Sequence, residues 1–389
     1  MNSSTDTTSQ QVPAAAPPQP PKPPQQAQPP SQVPQQAPQP PRPIPPSDIL
    51  ITFALPCYNA AAYMDRCIES ILAGAKNHLN RVEIIIVDDG STQDDTAAKA
   101  DSWQMRFPDV IRAVHQENGG HGAAVNAGLA RARGAYFKVV DADDWLDEEA
   151  LALSLVRLKW LATSNLDLFI TNYVYEKLDE GTHTPIRLGG PLPEGRIFGW
   201  SEVGTFKPQQ NLLMHAVIYR TELLRDVGLE LPKHTFYVDN IFVYVPLPAV
   251  KSIFYLNADL YRYYIGREGQ SINEATMVKR IDQQLLITRI MIDAYHLRED
   301  IENPRLRTYM IHYLTMMMAI SSVFLRLTER EDAEDARRDL WAYLKEKDPV
   351  VYPKIRGGLL GLASNLPGPA GRATTLAGYR LARKLFKFN

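Results

Sequence analysis

Two cysteines, Cys57 and Cys67, are all that this 389-residue chain contains. Two thiols build neither a disulfide framework nor a cysteine-rich zinc site. Charge of one sign is also missing. The 42 Lys and Arg nearly balance the 44 Asp and Glu, for a net −2, so no nucleic-acid partner is expected. No stretch reaches the ~18 consecutive apolar residues of a membrane span. The nearest, Tyr309–Leu325, contains His312 and Thr315 and is flanked by arginines; it reads as a buried helix. The start of the chain has no basic segment followed by a short apolar run, as a secretory signal would, so the cytoplasm is the expected compartment. Residues 1–47 are Pro, Gln, Ala and Ser with almost no large apolar side chain. Such a segment cannot offset chain entropy by burial and is expected to be a disordered spacer.

From Ile49 the composition becomes that of a globular protein. Ile51–Leu55 is a short apolar run closed by Pro56, suited to a buried strand. Met64, Cys67, Ile68, Ile71 and Leu72 follow at helical spacing. Val82–Val87 is apolar and β-branched almost throughout, as a strand covered on both faces is. A helix from about Asp94, a strand Val110–Val114, a helix Gly122–Arg133 and a strand Ala135–Val140 complete the pattern. Strands alternating with helices predict an α/β fold with a mostly parallel sheet. Further strands are expected at Leu166–Asn172, Ala216–Arg220, Ser252–Leu256 and Leu260–Tyr264. Asp239–Val250 carries two prolines, so a helix there must be short or kinked. Thr276 to Lys347 is helical in pattern, broken at Asn303-Pro304, with Met316, Met317 and Met318 as core. The expected organisation is a tail 1–47, a catalytic domain 48–270, a helical region 271–350 and a basic tail 351–389.

In open α/β sheets ligands bind beyond the carboxyl ends of strands. Three strand ends here carry Pro56-Cys57-Tyr58-Asn59, Asp88-Asp89-Gly90-Ser91 and Asp141-Ala142-Asp143-Asp144. Asp141 and Asp143, at i and i+2, point the same way on a strand. Paired carboxylates suit Mg²⁺ or Mn²⁺; equally, the cluster can be a solvated acidic turn or helix cap. Asp88-Asp89-Gly90-Ser91 can accept from a nucleobase or ribose, or simply form a turn and cap. Asn118-Gly119-Gly120-His121, followed by Asn126, places glycines at a helix start, where N–H groups can meet an anion. His121 reads as a donor contact or a cap.

In this order the motifs resemble the family 2 glycosyltransferases of the GT-A fold. The likeness rests on Pro56-x-Tyr58-Asn59, Glu69-Ser70-Ile71-Leu72, Ile84 through Thr92, Asn118-Gly119-Gly120 with Asn126-Ala127-Gly128, and Asp141-Ala142-Asp143-Asp144. It is dense over residues 50–150 and thin afterwards. It implies an inverting transfer of a sugar from a nucleoside-diphosphate donor, UDP-sugars favoured, to a cell-envelope or polysaccharide acceptor. It assigns Asp141 and Asp143 to metal and diphosphate, and Asp88 or, preferentially, Asp89 to the base, with Pro56 and Tyr58 lining that pocket. The family's general base comes from a Glu-Asp pair on a helix start; here Val238-Asp239 keeps the Asp and replaces the Glu. Asp239 is therefore the expected base, with Asp226 and Asp259 as alternatives. Arg262 and Arg267 lie in a stretch similar to one that follows the base in bacterial members; they would clamp the diphosphate, or form surface ion pairs with Glu268 or another acid.

A glycan or lipid-linked acceptor is the expected partner. Leu376, Tyr379, Leu381, Leu385 and Phe386 interleave with Arg380, Arg383, Lys384 and Lys387, which suits a helix lying on anionic lipid at the inner face of the membrane, or one docked on the catalytic domain. The competing readings are a nucleotidyltransferase and a catalytically inactive sugar-nucleotide-binding protein.

Overall fold

A computed structural model describes residues 49–207, 210–266 and 273–386, with side chains as far as Arg383. The Pro/Gln-rich tail and Arg267 lie outside the described residues. The first segment runs β1 (Ile51–Cys57), α1 (Met64–Gly74), β2 (Val82–Asp88), α2 (Thr96–Arg106), β3 (Ile111–His115), α3 (His121–Arg131) and β4 (Tyr136–Val139). β1 pairs in parallel with both β2 and β4, and β2 with β3. The apolar run of β2 is explained by its two faces. Ile84 and Ile86 enter the main core, while Ile85 and Val87 pack with Ala124 of α3.

The second segment is mixed. It holds β5 (Trp145–Leu146), α4 (Glu148–Leu161), β6 (Leu168–Lys177), β7 (Thr182–Ile186), β8 (Ile197–Phe198), β9 (Val217–Arg220), α5 (Thr221–Asp226), α6 (Asp239–Tyr244) and β10 (Ile253–Tyr264). The sheet order is β3-β2-β1-β4-β9-β6-β10-β5, with β7 on β6 and β8 on β10. β9 runs antiparallel between β4 and β6. The two strands expected at 252–256 and 260–264 are one strand. Its register against β6 shifts around Asp259, where Asn172 Nδ2 donates to Asn257 Oδ1 and Asp259 Oδ1, both at 2.8 Å. The polar Asn257-Ala258-Asp259 triplet thus makes a bulge, which bends a strand without ending it. α6 stops just before Pro246, which cannot donate to a continuing helix.

The remaining helices are α7 (Glu274–Lys279), α8 (Ile281–Ala294), α9 (Pro304–Leu327), α10 (Ala333–Lys347), α11 (Tyr352–Gly357), α12 (Leu359–Ala363) and α13 (Gly368–Phe386). Asn303 caps α9 by accepting from the Arg305 and Leu306 amides, and Pro304 opens it, a position that needs no donor. Among the described helices α9 alone is long and apolar enough to cross a membrane, but 61% of that stretch is buried in the protein. Met317 and Met318 are in its core face. The sheet and the helices α8 to α10 share one continuous apolar core. Cys57 and Cys67 are both free and buried.

Candidate active site

The carboxyl ends of β1, β2 and β4 lie side by side, since Cys57 is in register with Asp88 and Ala54 with Val139. Pro56 is buried within β1, whereas the Tyr58 side chain is 51% exposed at its end. Asn59 takes a left-handed conformation, φ 48°, which asparagine tolerates. Its Oδ1 accepts from the Thr92 and Gln93 amides. Asn59, expected to bind donor, is thus spent in holding the turn after β2. Asp88 accepts from the Ser91 amide at 3.1 Å and pairs with His115 Nδ1 at 3.1 Å.

Asp89 is 2% exposed. It accepts from Gln116 Nε2 (2.7 Å), the Gly119 amide (2.9 Å) and the Gly120 amide (2.7 Å). Asn118 Nδ2 donates to the Asp89 carbonyl at 3.0 Å. The anion met by the glycine turn at the start of α3 is therefore the chain's own carboxylate. Close backbone approach is real, but the partner is the loop ahead of α6. Gly120 has φ 82°, and a Cβ there would meet His234 N at 2.9 Å. The His234 amide donates to the Gly119 carbonyl at 2.6 Å. Asn126, another expected donor contact, instead binds both the amide and the carbonyl of Leu231.

Asp141 follows β4. His121 Nε2 lies 2.8 Å from its Oδ1. Burial alone would raise the Asp141 carboxyl, but the charge and hydrogen bond of His121 hold it below the usual range. Burial opposes charge on His121 too, yet Asp141, with Asp239 and Asp143 farther off, raises it. Ala142 is buried, and Asp143 is half-buried in the same turn. Asp144 is 1% exposed; the Tyr261 hydroxyl donates to it at 2.6 Å and the Tyr264 amide at 2.8 Å. Burial, then the charges of Asp143 and Asp141, push its carboxyl well up. The same Tyr261 hydroxyl accepts from the Asp141 amide at 3.1 Å, so one buried ring ties the turn to β10.

Two buried groups here were not singled out in the sequence. His215, just before β9, places a ring nitrogen so that it, an Asp141 oxygen and an Asp144 oxygen all lie within 4.8 Å of one another. Lys138 in β4 is fully buried and donates to the His215 carbonyl at 2.8 Å; burial lowers its ammonium to about 7, against the pull of Asp141. A lone histidine ahead of an apolar strand, and a lysine inside one, carry no local signal of this convergence. Three ligand-capable atoms that close fit a small divalent cation, with Asp141 as the member shared with the expected Asp141–Asp143 pair. Asp143 is not one of the three.

Asp239 opens α6, half-buried. Burial pushes its carboxyl up to about 6, with His121 pulling down and Asp141 pushing up. The loop before it holds two non-glycine residues at positive φ, His234 (50°) and Tyr237 (65°), a costly backbone for bulky side chains. Helical-region side chains brace this loop. Gln283 accepts from the Phe236 amide, Arg280 lies 3.5 Å over the Phe236 ring, and Tyr313 donates to Asn240 Oδ1. The alternatives sit elsewhere: Asp259 pairs with Arg187, and Asp226 ends α5. Arg262 is held by Asp147 at 2.7 Å and Glu176 at 3.0 Å, so as it stands both ends of its fork are engaged by the chain's own carboxylates.

Residues 52–219 match the model of glycosyl transferase family 2. That segment, at the sheet edge just described, is similar to glycosyltransferase family 2. It is 36% identical over 132 residues to the glycosyltransferase GlyG of Streptococcus pneumoniae, covering 33% of this chain and 41% of GlyG. It is 34% identical over 140 residues to the glycosyltransferase EpsJ of Bacillus subtilis, covering 36% of this chain and 38% of EpsJ. The chain thus spans about two fifths of the length of these curated relatives. Among solved structures, Staphylococcus aureus TarS 1–349 in complex with UDP superposes with a TM-score of 0.57 at 17% identity, over 87% of this chain and 91% of that one. That likeness shows the GT-A fold of the transferase domain. It also extends past the matched family segment into the helical region.

Proposed function

We propose that this chain is a metal-dependent, inverting glycosyltransferase that moves a sugar from a nucleoside diphosphate, UDP-sugars favoured, to a cell-envelope or polysaccharide acceptor. The observation that carries the reading is a pair of aspartates that both act on His121, one hydrogen-bonded to it at 2.8 Å: Asp141 held below the usual carboxylate range and Asp239 pushed up to about 6. Carboxyl groups driven apart in this way divide the work of charge binding and proton transfer. TarS, which shares the fold, was solved with UDP and with UDP-GlcNAc, in keeping with the donor class.

Asp141, with Asp143 in the same turn, would hold Mg²⁺ or Mn²⁺. Such a cation, when bound, offsets the charge of a departing diphosphate. Asp239 accepts the proton of the acceptor hydroxyl while that oxygen forms its bond to the anomeric carbon. The bond from that carbon to the diphosphate oxygen breaks on the opposite side, so configuration inverts. His121 holds Asp141, and the Asp89-bound glycine turn fixes the loop that carries Asp239. Exposed Tyr58 is free to stack on the base. A nucleotidyltransferase would need a glycine-rich, lysine- or arginine-bearing loop after β1, where this chain has Tyr58-Asn59. Screening UDP- and GDP-sugars by thermal shift and by donor hydrolysis, with and without Mn²⁺, tests the reading. It is lost if no nucleotide sugar raises the melting temperature or is turned over.

We further propose peripheral contact with anionic lipid. One face of α13 is docked: Arg372 donates to the Arg326 and Thr328 carbonyls, and Tyr379 and Arg383 reach Glu274. What supports a lipid surface is Leu359 (85% exposed), Leu360 and Leu362 on α12 and Leu381 on α13, near exposed Lys354 and Arg380. Apolar side chains beside basic ones suit a bilayer of negative surface charge. Co-sedimentation with vesicles containing phosphatidylserine is expected, and is expected to fall in a Leu359→Ser, Leu362→Ser chain. Equal pelleting of both chains, or none of either, removes the proposal.

A further inference from the structure

His215 is 7% exposed, and its Nδ1 is buried without a hydrogen-bond partner. An unmet buried polar atom costs about 1–3 kcal/mol, so its surroundings call for explanation. The ring is locked in place. It stacks against Tyr261 at 4.5 Å and packs on Tyr263 at 4.3 Å, and its own carbonyl takes a hydrogen bond from buried Lys138. One ring nitrogen falls within 4.8 Å of oxygens of Asp141 and Asp144. Three ligand atoms gathered that closely could all reach one ion at ~2.1 Å from each. Asp144 already receives one donor on each oxygen, and a carboxylate has lone pairs left for a cation.

We infer that His215 is a nitrogen ligand of the divalent cation, completing a site with Asp141 and Asp144. This rests on the metal-dependent reading above and deepens it, because ligand type decides which cation is taken. Carboxylate and water ligands alone suit Mg²⁺, whereas an imidazole shifts preference toward transition metals. The site therefore favours Mn²⁺ over Mg²⁺. The packing that fixes the ring belongs to β10 and β4, so strands far apart in the sequence build the same site.

The test is pulsed electron paramagnetic resonance of Mn²⁺ bound to the full chain with UDP, which detects a directly coordinated ¹⁴N, together with a Mn²⁺ and Mg²⁺ titration. Wild type is expected to show the ¹⁴N coupling. His215→Phe keeps an aromatic ring between Tyr261 and Tyr263; it is expected to lose the coupling and bind Mn²⁺ at least ~10-fold more weakly, since even outer-shell changes cost 10–100-fold, with Mg²⁺ binding little changed. His215→Gln is the second variant should the first fold poorly. Mn²⁺ bound by wild type without a ¹⁴N coupling, or a coupling that persists in His215→Phe, overturns the inference and leaves the metal-dependent reading standing. Absence of any Mn²⁺ binding with UDP overturns both.

Discussion

In the turns that follow β1, β2 and β4, carboxylates are met by donors. Asp89 accepts from two backbone amides and Gln116, Asp94 from the Ala61 and Thr96 amides, and Asp141 is paired with His121. In the loop ahead of α6 the balance is reversed. Asp239 accepts from Asn240 Nδ2 at 3.3 Å and from its own and the Asn240 backbone amides, but burial outweighs them. Where the partner outweighs burial, as His121 does at Asp141, the acid stays ionised and can hold a cation; where burial outweighs the donors, as at Asp239, it keeps its proton to near neutral pH and can accept one when ionised. In the proposed mechanism the same residue type does two kinds of work, and the difference lies in the surroundings of each carboxylate.

The sharpest way to break this contrast is to remove the proton acceptor. Asp239→Asn keeps the shape and is expected to lower kcat by ~10²–10⁴-fold, with little change in UDP affinity. The wild-type rate should rise with pH through about 6, as Asp239 ionises, and that acid limb should vanish from the residual activity of the variant. Near-full transfer in Asp239→Asn, or loss of nucleotide binding instead, would make the residue structural or donor-side. Next in size is the donor-rich side. Asp89→Ala leaves the Gly119 and Gly120 amides without their acceptor and is expected to cost about 3 kcal/mol in urea unfolding. A change within about 0.5 kcal/mol would mean water replaces the carboxylate at no penalty.

How far the sequence carried this picture differs between the same two regions. Strands β1 to β4 and their helices were legible because apolar runs and helical spacing are local signals, and the polar groups at their ends follow from topology. The roles within those turns were less legible. Nothing in Asn118-Gly119-Gly120 distinguishes a phosphate from the carboxylate of Asp89, since both are anions at a helix start. Asn126 binds Leu231, a residue 105 positions away, and no local pattern encodes that. Asp239 was legible as a candidate because a family motif marks it. His215 and Lys138 were missed because burial and convergence, which give them meaning, depend on β9 inserting antiparallel beside β4.

A third, smaller effect separates Asp143 from its neighbours. It lies in the acidic turn but outside the three-atom group formed by Asp141, Asp144 and His215. Asp143→Asn is expected to weaken Mn²⁺-assisted UDP binding by about 10-fold, the equivalent of 1.4 kcal/mol, with a nearly unchanged melting curve. Unchanged affinity would place Asp143 outside the metal and diphosphate chemistry altogether, and would sharpen the contrast to Asp141 alone.

The smallest effect is one of stability, and its sign is the point. Asp239 has a carboxyl near 6 in the fold and an ordinary value of 3.8. Between those values the native state holds the proton that the unfolded chain has released. Proton linkage then makes the contribution of Asp239 to stability fall as pH rises through that window, and stay low above it. Asparagine does not titrate. Asp239→Asn should therefore melt higher than wild type above about pH 6, by a few degrees, and the gap should narrow as pH falls toward 4 and close only below 3.8, where the wild-type carboxyl becomes protonated in both states. Other acids titrate over the same range, but they are common to both chains and cancel in the difference. An aspartate held as Asp141 is, below its ordinary range, would give the opposite sign: its removal would destabilise near neutral pH, and the loss would shrink on acidification. Melting curves of the two chains from pH 4.5 to 8 distinguish these cases. A variant that melts lower than wild type at pH 8 would show that hydrogen bonds outweigh burial at Asp239, as they do at Asp141, and that the contrast between the two carboxylates does not exist.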